Sequence, residues 1–550
     1  MISSSTPTKN PIITIIPKNL KLSLRPQNLS RLHLRSIQCS FQNQNPNTLK
    51  RPANPKTHLF GVITPGPVFT QKGNTRRGNE ENRGFAQVGS QQMAVLCGFG
   101  YWVQGFRCFP WLALNFHMAN NLNLQPLTLQ LVQHCGNLPM VAKPLYGILS
   151  DAIYIGGAHR IPYILIGVLL QILSWGPLAF IPLAREALPI LLACILLGNL
   201  GASVAEVAKD ALVAEYGQKH KIRGLQSYSF MALAVGGILG NLLGGYFLMK
   251  APPKNVFLIF SYLLSIQFAI SLTAREVSLG LSRTSDQKLA KESIWENITK
   301  KLSDLKMALG EDIISRPLTW IVASIAAVPV LSGSIFCYQT QCLNLDPSII
   351  GMSKVIGQLM LLSLTVLYDR YWKGVPMRKL IASTQVLYAS SLLLDVVLVR
   401  QINLRVGIPN DVFVCCFSGL AETLAQFKLL PFSVLLASLC PKGCEGSLTS
   451  FLASTLCLSS IVSGFLGVGL ASLMGITAGD YSRLPVGILI QFILALLPLG
   501  WIHYVPSQST VEKNRKRGIS KRSRKVRRIG RVVLGSIYFY RRERESEAQG

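Results

Sequence analysis

Six ionisable side chains lie inside stretches of the chain that are otherwise apolar. A charge at the centre of an apolar helix of membrane length costs roughly 2.5–3.5 kcal/mol on insertion scales, so such a side chain faces protein or water and finds a partner there. These six residues are therefore candidates for binding a polar ligand or for coupling its movement to an ion. They are Arg107, Lys143, Glu206, Lys209, Asp210 and Lys428.

Three of these charges are close together in one predicted helix. Glu206 and Asp210 are four residues apart, which places them on one helix face, and Lys209 is next to Asp210. One interpretation is a functional carboxylate that carries a proton or pairs with a cationic ligand group. The other is a local ion network that stabilises a helix end, because residues 216–223 read as a loop.

The two cations nearest the N-terminus suggest an anionic ligand. Arg107 lies among Phe106, Phe109 and Trp111, and an arginine among aromatic rings suits a carboxylate on a flat aromatic molecule through forked hydrogen bonds and stacking. Lys143 could meet an anionic group in the same way. Alternatively it extends to the membrane surface, since loop residues follow shortly after it. A single acid in another apolar stretch, Asp395, is given no role.

Two acid–arginine pairs have the same spacing. Asp151 and Arg160 are nine residues apart, as are Asp369 and Arg378, and each acid opens a loop while each arginine opens a helix. We interpret the pairs as charge clasps that hold helix ends together in one state and release them in another. The alternative is that all four are solvated turn charges.

The apolar stretches are long enough to cross a bilayer, which takes about 20 residues. Six precede a polar linker at 274–316 and six follow it, and the paired spacing above relates the two sets. Such a parallel repeat is the plan of major facilitator transporters. The sequence therefore predicts an all-α polytopic membrane protein with bundles at 95–273 and 317–504. The predicted helices are 95–116, 126–149, 161–183, 187–213, 224–249, 255–273, 317–339, 347–368, 379–399, 410–438, 447–475 and 484–504.

Composition excludes other classes of protein. Charged residues make up 15% of the chain, against about 25% in soluble domains, and 49% of residues are hydrophobic. The net charge of +30 is concentrated at the ends and in alternate loops, so it does not form a nucleic-acid-binding face. A P-loop and an HExxH motif are both absent, and the cysteines have no metal-ligand spacing. We expect no enzyme activity, catalytic residue, cofactor or metal.

The two ends of the chain are basic. Residues 1–79 contain twelve Lys or Arg and no Asp or Glu, which is typical of an organelle transit peptide, and the Ser, Pro and Asn content favours a plastid. The alternative is an ordinary basic tail. The basic segment 505–550 closes the chain. Even-numbered helix connections hold 17 Lys or Arg against six in odd-numbered ones, so both termini and the linker are predicted on the stromal side.

Several of these stretches resemble the folate–biopterin transporter family, a branch of the major facilitator superfamily. The resemblance covers roughly residues 92–504, and KPLYG followed by Ser-Asp is among its most specific motifs. The matching stretches are YWVQGFRCFPWLALNF (101–116), NLPMVAKPLYGILSD (137–151), GNLGASVAEVAKDALVAE (198–215), RGLQSYSFMALAVGGILGNLLGGYF (223–247) and LLPFSVLLASLCPKGCEGSLTSFL (429–452).

The resemblance implies transport of folates or pterins, with protons as a candidate coupling ion. It implies functional roles for Glu206 and Asp210, which match a family pair of acids four residues apart, and for Lys143. Three departures stand out. Glu206 replaces an aspartate and Lys209 an apolar residue. Where the family has arginine before Leu-Ala, this chain has Trp111, and Arg107 one turn earlier is the candidate replacement.

These inferences predict a secondary-active carrier of folates or related pterins in a chloroplast membrane, with the inner envelope favoured. Its partners would be a small-molecule solute, the lipid bilayer and protons, and not nucleic acid. Two alternatives remain open. One is a facilitator-type carrier of another organic solute. The other is a polytopic membrane protein that does not transport, such as a sensor or an assembly factor.

Overall fold

The computed structural model describes residues 80–180, 188–220, 225–276, 279, 310–372, 375–439 and 445–505, with a few further positions between 299 and 309. The predicted leader, most of the predicted linker and nearly all of the basic tail lie outside these residues. Within them the chain forms twelve helical units, six on each side of the linker region.

The first six units form the N-terminal half. Here α1 comprises Glu80–Phe106 and Cys108–Phe116. Unit α2 comprises Pro126–Gly136, Leu138–Val141 and Lys143–Ala152. The remaining four units are α3 (Ile161–Phe180), α4 (Leu188–Lys219), α5 (Leu225–Lys250) and α6 (Pro253–Thr273).

The other six units form the C-terminal half. Unit α7 comprises Asp312–Ala326 and Ser332–Cys337, and α10 comprises Asn410–Phe413 and Leu420–Leu439. The others are α8 (Pro347–Leu367), α9 (Met377–Val399), α11 (Glu445–Leu473) and α12 (Leu484–Leu496), which continues as a 3₁₀ helix, Leu497–Tyr504. The short helix Ile402–Arg405 lies between α9 and α10.

Nine helices in the described part of the chain are long and apolar enough to cross a membrane, judged by length and composition. They belong to α3–α6 and α8–α12. The other three units are interrupted: α1 at Arg107, α2 at Asn137 and Ala142, and α7 between Ala326 and Ser332. In α1 and α2 the interruptions fall at or beside residues with charged or polar side chains. A break in a helix leaves backbone N–H and C=O groups without partners inside the helix, and such groups can bind side chains or a solute.

Small residues let the helices of the N-terminal half approach closely. A Cβ atom added to Gly105 of α1 would lie 2.0 Å from a carbonyl oxygen of α5, and one added to Gly236 of α5 would lie 2.1 Å from a carbonyl oxygen of α1. Gly167 of α3 and Gly201 of α4 make a similar contact, since a Cβ atom on either would lie 2.4–2.5 Å from the carbonyl oxygen of the other. Backbone contact of this kind is the usual way that helices pack where lipid replaces water.

Trp175 of α3 fixes the position of α1 relative to its neighbours. Its ring packs edge-on against Trp111 of α1 and Phe260 of α6 and at a tilt of 38° against Phe257 of α6, with centroid distances between 5.7 and 6.3 Å. Aromatic contacts of this geometry add to the energy of burial. The segment of α1 that follows Arg107 is thereby held against the interior of the N-terminal half.

The two halves meet along two pairs of helices. A Cβ atom on Gly351 of α8 would lie 2.6 Å from the carbonyl oxygen of Asn241 on α5, so α5 and α8 touch. One on Gly467 of α11 would lie 2.7 Å from the side-chain nitrogen of Gln130 on α2. Helix α11 also packs against all three segments of α2.

Gln130 of α2 ties the halves together. Its side-chain nitrogen donates to the carbonyl oxygens of Val330 (2.7 Å) and Gly464 (2.9 Å), and its side-chain oxygen accepts from the backbone N–H of Gly333 (3.0 Å). Gln341 adds a bond to a carbonyl oxygen at the end of α1, 2.8 Å away. These residues lie at the face of the odd-numbered connections, so the halves are closed together on that face.

Candidate functional site

Glu206 of α4 is the centre of a buried ion cluster in the N-terminal half. One carboxylate oxygen accepts from Arg107 Nη1 of α1 at 2.8 Å, and the other accepts from Lys143 Nζ of α2 at 2.8 Å. Glu206 is 8% exposed. A single carboxylate thus joins three helices, and its two partners are the cations at the interruptions of α1 and α2.

Asn199 fixes the orientation of the Arg107 guanidinium. Its side-chain oxygen accepts from Arg107 Nη2 at 2.8 Å, and its side-chain nitrogen donates to the carbonyl oxygen of Gly136 at 2.6 Å. That carbonyl lies at the end of the first segment of α2. Asn199 was not among the predicted residues, although its position seven residues before Glu206 in an apolar helix is a signal that could have identified it.

Lys209 and Asp210 contact α1 rather than joining Glu206 in a local network. Lys209 Nζ donates to the carbonyl oxygen of Gly100 (2.9 Å) and to Gln104 Oε1 (2.8 Å), and it lies 5.2 Å from the centre of the Tyr101 ring. Asp210 accepts a hydrogen bond from the Tyr101 hydroxyl. The charged face of α4 therefore packs against α1 and α2, and it is not a solvated helix end.

A small polar cavity adjoins this cluster between α1, α3, α4 and α6. The cluster contains three cations and two carboxylates and therefore carries one net positive charge. They are Arg107, Lys143, Lys209, Glu206 and Asp210. That balance favours an anionic ligand. The cavity is lined by Val103, Gln104, Arg107, Gln171, Ala202, Ala205, Glu206, Lys209 and Gln267.

The first predicted clasp is formed in the structure. Arg160 Nη2 donates to Asp151 Oδ1 at 2.5 Å, and Nη1 donates to the hydroxyl of Ser150 at 2.6 Å. Glu215, at the end of α4, also accepts from the guanidinium, with Nε at 3.0 Å. The arginine therefore links the end of α2, the start of α3 and the end of α4.

Glu276 completes this surface cluster. Its carboxylate accepts backbone N–H groups of His159 (3.0 and 3.1 Å), Arg160 (2.6 Å) and Ile161 (2.8 Å), which are free donors at the start of α3. Burial opposes the charged form, but the hydrogen bonds to His159 and these N–H groups outweigh burial and lower the pKa of Glu276 to about 2. Glu276, the first acid after α6, was not among the predicted residues.

The imidazole of His159 lies between two carboxylates. Its Nε2 is 3.2 Å from Glu215 Oε2, and its Nδ1 is 3.2 Å from Glu276 Oε2. Burial alone would lower the pKa of His159. The hydrogen bonds to Glu215 and Glu276 more than offset that effect and raise the pKa to about 9. The ring is therefore protonated at neutral pH and bridges α4 to the end of α6.

The second predicted clasp is only partly described. The side chain of Asp369 lies outside the described residues. Arg378 donates to the carbonyl oxygens of Val505, at 2.7 and 3.1 Å, and of His503, at 3.1 Å. It thus joins the start of α9 to the end of the 3₁₀ helix that follows α12.

Lys428 is buried inside the C-terminal half, apart from the Glu206 cluster. It is 2% exposed, and its Nζ donates to Gln385 Oε1 of α9 at 3.0 Å and to the hydroxyl of Ser324 of α7 at 3.4 Å. The ammonium group also lies 5.3 Å from the ring centre of Tyr388. These contacts join α7, α9 and α10.

A further ion pair was missed by the sequence analysis. Lys354 of α8 donates to Glu422 of α10. Each residue lies inside one of the predicted apolar stretches, at 347–368 and 410–438, so the same signal that identified the six candidates applies to both. Within the part of the chain that the structure describes, no group of three or more His, Cys, Asp or Glu could hold a metal ion.

The two six-helix halves, with buried charges between their helices, have the major facilitator-type fold. A D-xylose–proton symporter aligns over 76% of this chain and 98% of its own, with a TM-score of 0.55 at 16% identity. A mutant of the nucleoside transporter NupG aligns over 76% and 100%, with a TM-score of 0.54 at 12% identity. Similarity at these identities shows the fold alone, and it confirms the predicted fold class.

Sequence comparison identifies the family. The BT1 family matches residues 104–525. The Arabidopsis thaliana protein named "Probable folate-biopterin transporter 8, chloroplastic" is 64% identical over 85% of this chain and 86% of its own. The "Folate-biopterin transporter" of Synechocystis sp. is 25% identical over 74% and 80%. The chain belongs to the BT1 family, and the resemblance seen in the sequence is confirmed.

The relatives also show the compartment of this chain and its class of protein. A second Arabidopsis thaliana protein, "Probable folate-biopterin transporter 9, chloroplastic", is also 64% identical, over 83% of this chain and 85% of its own, so two relatives at this identity are named as chloroplastic transporters. Together with the apolar helices, they assign the chain to a chloroplast membrane as a multi-pass protein. The chain is a transporter and not an enzyme, as the sequence analysis expected.

The bridge made by His159 should make stability depend on pH. The folded pKa of about 9 exceeds the ordinary value of 6.5. The contribution is therefore complete below about pH 6.5 and is lost as the pH rises through about 9. The measurement is the midpoint temperature of thermal unfolding in detergent at about pH 6 and about pH 10. The decrease in this temperature from the lower to the higher pH should be larger for the wild type than for His159→Gln, by on the order of 1–3 °C. His503→Gln is the control, and equal pH dependence in wild type and His159→Gln would contradict the bridge.

Proposed function

We propose that this chain is a secondary-active carrier of folates or related pterins across the chloroplast inner envelope. The observation that carries the proposal is the binding of Glu206 by Arg107 and Lys143 inside the N-terminal half of a facilitator fold. The names of relatives that cover most of the chain supply the class of solute. The transit-like leader and the Lys/Arg bias of the connections support the envelope and a stromal position for both termini.

The chemistry of the cluster suits an anionic, flat solute. A folate combines a pterin ring with a glutamate tail that carries two carboxylates. The side chains of Arg107 and Lys143 are 15% and 23% exposed, so a solute carboxylate can reach them. Such a carboxylate can replace Glu206 as partner through charge-assisted hydrogen bonds. Aromatic side chains continue from Arg107 along α1, with Trp102 and Phe106 stacked at 5.0 Å.

We further propose that protons drive the transport. A carboxylate that loses its cation partners in an apolar setting binds a proton more readily. When a solute carboxylate takes Arg107 and Lys143, Glu206 is left without them, and binding of the solute is thereby linked to binding of a proton. Asp210, which accepts from Tyr101 one helical turn further along α4, is the second candidate carrier.

The clasp of Asp151 and Arg160 is proposed to control closure of the stromal face. It joins the ends of α2, α3 and α4 while the halves are closed on the opposite face by Gln130. The lipid bilayer is the proposed surroundings of the exposed apolar side chains. Asp369 and Arg378 would act equivalently in the C-terminal half, since their spacing is the same.

Uptake by purified protein in proteoliposomes tests the proposed solute. Labelled folic acid should enter in a saturable manner and be competed by biopterin, but not by xylose or uridine. Lys143→Met should raise KM for folate about tenfold, which corresponds to about 1.4 kcal/mol, and change KM for biopterin far less, because biopterin has no carboxylate. Lys250→Met, at the exposed end of α5, is the control. Correctly inserted protein without pterin-dependent flux would exclude the proposal.

Proton coupling is tested by removing both carboxylates of α4. In the double variant Glu206→Gln, Asp210→Asn, uptake should lose its dependence on an imposed pH gradient, while exchange of labelled for unlabelled folate continues. The measurement compares initial rates with and without a gradient of about one pH unit. A double variant that still accumulates folate in response to the gradient would show that other groups carry the proton.

The clasp is tested by removing its acid charges. Asp151→Asn and Asp369→Asn should each slow uptake about three- to tenfold and leave membrane insertion unchanged, because each removes the acid of a proposed clasp that forms in one transport state. The control is Asp346→Asn, which changes an exposed acid at the opposite face. Wild-type rates in both clasp variants would rule out the clasp.

A further inference from the structure

The ion pair of Lys354 and Glu422 has no role in the cluster around Glu206. Lys354 lies seven residues into α8, and Glu422 lies in the second segment of α10, so both are inside apolar helices. Their side chains are 44% and 51% exposed. Charged side chains at such positions are costly and mark solute or ion pathways. A pair that is both charged and half exposed therefore lines an open space rather than the protein interior.

The open space is the one between the two halves. Gly351 of α8 touches α5, since its Cβ would lie 2.6 Å from Asn241 O, and Gln358 of α8 would lie 3.0 Å from a Cβ on Gly237 of α5. Lys354 comes three residues after Gly351 and four before Gln358. Residues three and four apart share a helix face. Lys354 therefore lies on the face of α8 that points to the N-terminal half.

The pair is also close to the candidate site in the N-terminal half. Helix α5 lies against both regions. A Cβ atom on Gly240 of α5 would lie 3.1 Å from the carbonyl oxygen of Phe106, the residue before Arg107, and the next carbonyl along α5, that of Asn241, is the one that Gly351 of α8 approaches. The segment of α1 that carries Arg107 and the face of α8 that carries Lys354 thus contact the same short stretch of α5, and a solute held by Arg107 would extend from there toward Glu422.

Glu422 differs from the other carboxylates in its free capacity to accept hydrogen bonds. Both oxygens of Glu206 already accept from cations, and Asp210 accepts from Tyr101. Glu422 accepts from Lys354, and its second oxygen has only a long contact of 3.4 Å with Gln426. A carboxylate has about four acceptor sites on two oxygens. Glu422 can therefore receive two parallel donors from a solute while Lys354 keeps it ionised.

We propose that Glu422 recognises the donor edge of the pterin ring, where the ring N3–H and the 2-amino group point in the same direction. The two donors match the two oxygens of one carboxylate, as in other bidentate pairs. Lys354 is the positioning residue that holds Glu422 at the space between the halves. The inference rests on the proposed pterin transport and names the group in the C-terminal half that selects the solute.

A pteridine that lacks the 2-amino group provides a direct test. In lumazine a carbonyl oxygen replaces that group, so an acceptor would face the Glu422 carboxylate, and sites built for a donor reject such analogues. The measurement is the ratio of the concentrations of lumazine and of pterin that half-inhibit labelled folate uptake into proteoliposomes. In the wild type the ratio should be at least about 10, and in Glu422→Gln it should fall below about 3.

Two further variants separate recognition from structural support. Asp411→Asn changes an exposed acid at the start of α10 and should keep the wild-type ratio. The exchanged pair, Lys354→Glu with Glu422→Lys, retains an ion pair between α8 and α10 but moves the carboxylate to α8. Its ratio of half-inhibiting concentrations should therefore be as low as that of Glu422→Gln. A wild-type ratio in the exchanged pair would overturn the inference, because any ion pair would then suffice.

The outcomes also distinguish this inference from the proposed function. Wild-type protein that takes up folate and discriminates against lumazine, with the same discrimination in Glu422→Gln, overturns only the role of Glu422. Wild-type protein that takes up no pterin overturns the proposed function and this inference together. Loss of discrimination in Glu422→Gln and in the exchanged pair, with Asp411→Asn unchanged, supports the assignment.

Discussion

The carboxylate of Glu206 is the contact on which the N-terminal half depends. It holds the guanidinium of Arg107 and the ammonium of Lys143 at 2.8 Å each, and these two cations are at the interruptions of α1 and α2. Removing one partner of a buried ion pair leaves an uncompensated charge, which costs far more than the pair itself contributes. Separating the three helices would therefore leave buried charges uncompensated unless another anion paired with Arg107 and Lys143 and Glu206 was neutralised. This constraint links the shape of the bundle to what is bound in it.

The interruptions of α1 and α2 follow from the same constraint. A continuous helix satisfies its own carbonyl groups, whereas the break after Gly136 frees a carbonyl oxygen that Asn199 uses while it holds Arg107. Close packing makes these contacts short, since the glycine at position 105 brings α1 and α5 together. The aromatic contacts of Trp175 then fix α1 on its other side. The ion cluster is thus held on several sides by packing that leaves little freedom.

The sequence predicted the kinds of residue in the site better than their partners. Arg107, Lys143 and Glu206 stood out because charges in apolar helices are costly, and that argument needs no structure. Their pairing joins residues 99 and 63 positions apart, which no local spacing reveals. The local ion network was one of two interpretations of Glu206, Lys209 and Asp210, and in the structure these residues contact other helices instead. The Asp151–Arg160 contact was accessible from sequence because the partners are only nine residues apart.

The charged side chains inside the helices are arranged differently in the two halves. Around Glu206 the cations exceed the carboxylates by one, whereas Lys354 and Glu422 neutralise each other and Lys428 is enclosed by Gln385, Ser324 and Tyr388. In the proposed carrier, an anionic solute would therefore be attracted to the cluster around Glu206 and would meet the neutral, hydrogen-bonding pair of Lys354 and Glu422 on the C-terminal half. Attraction alone would hold any small anion, because Coulomb forces have little directional preference. The proposed recognition by Glu422 supplies the missing direction, because a solute without the matching donors would leave the hydrogen-bonding capacity of that carboxylate unused.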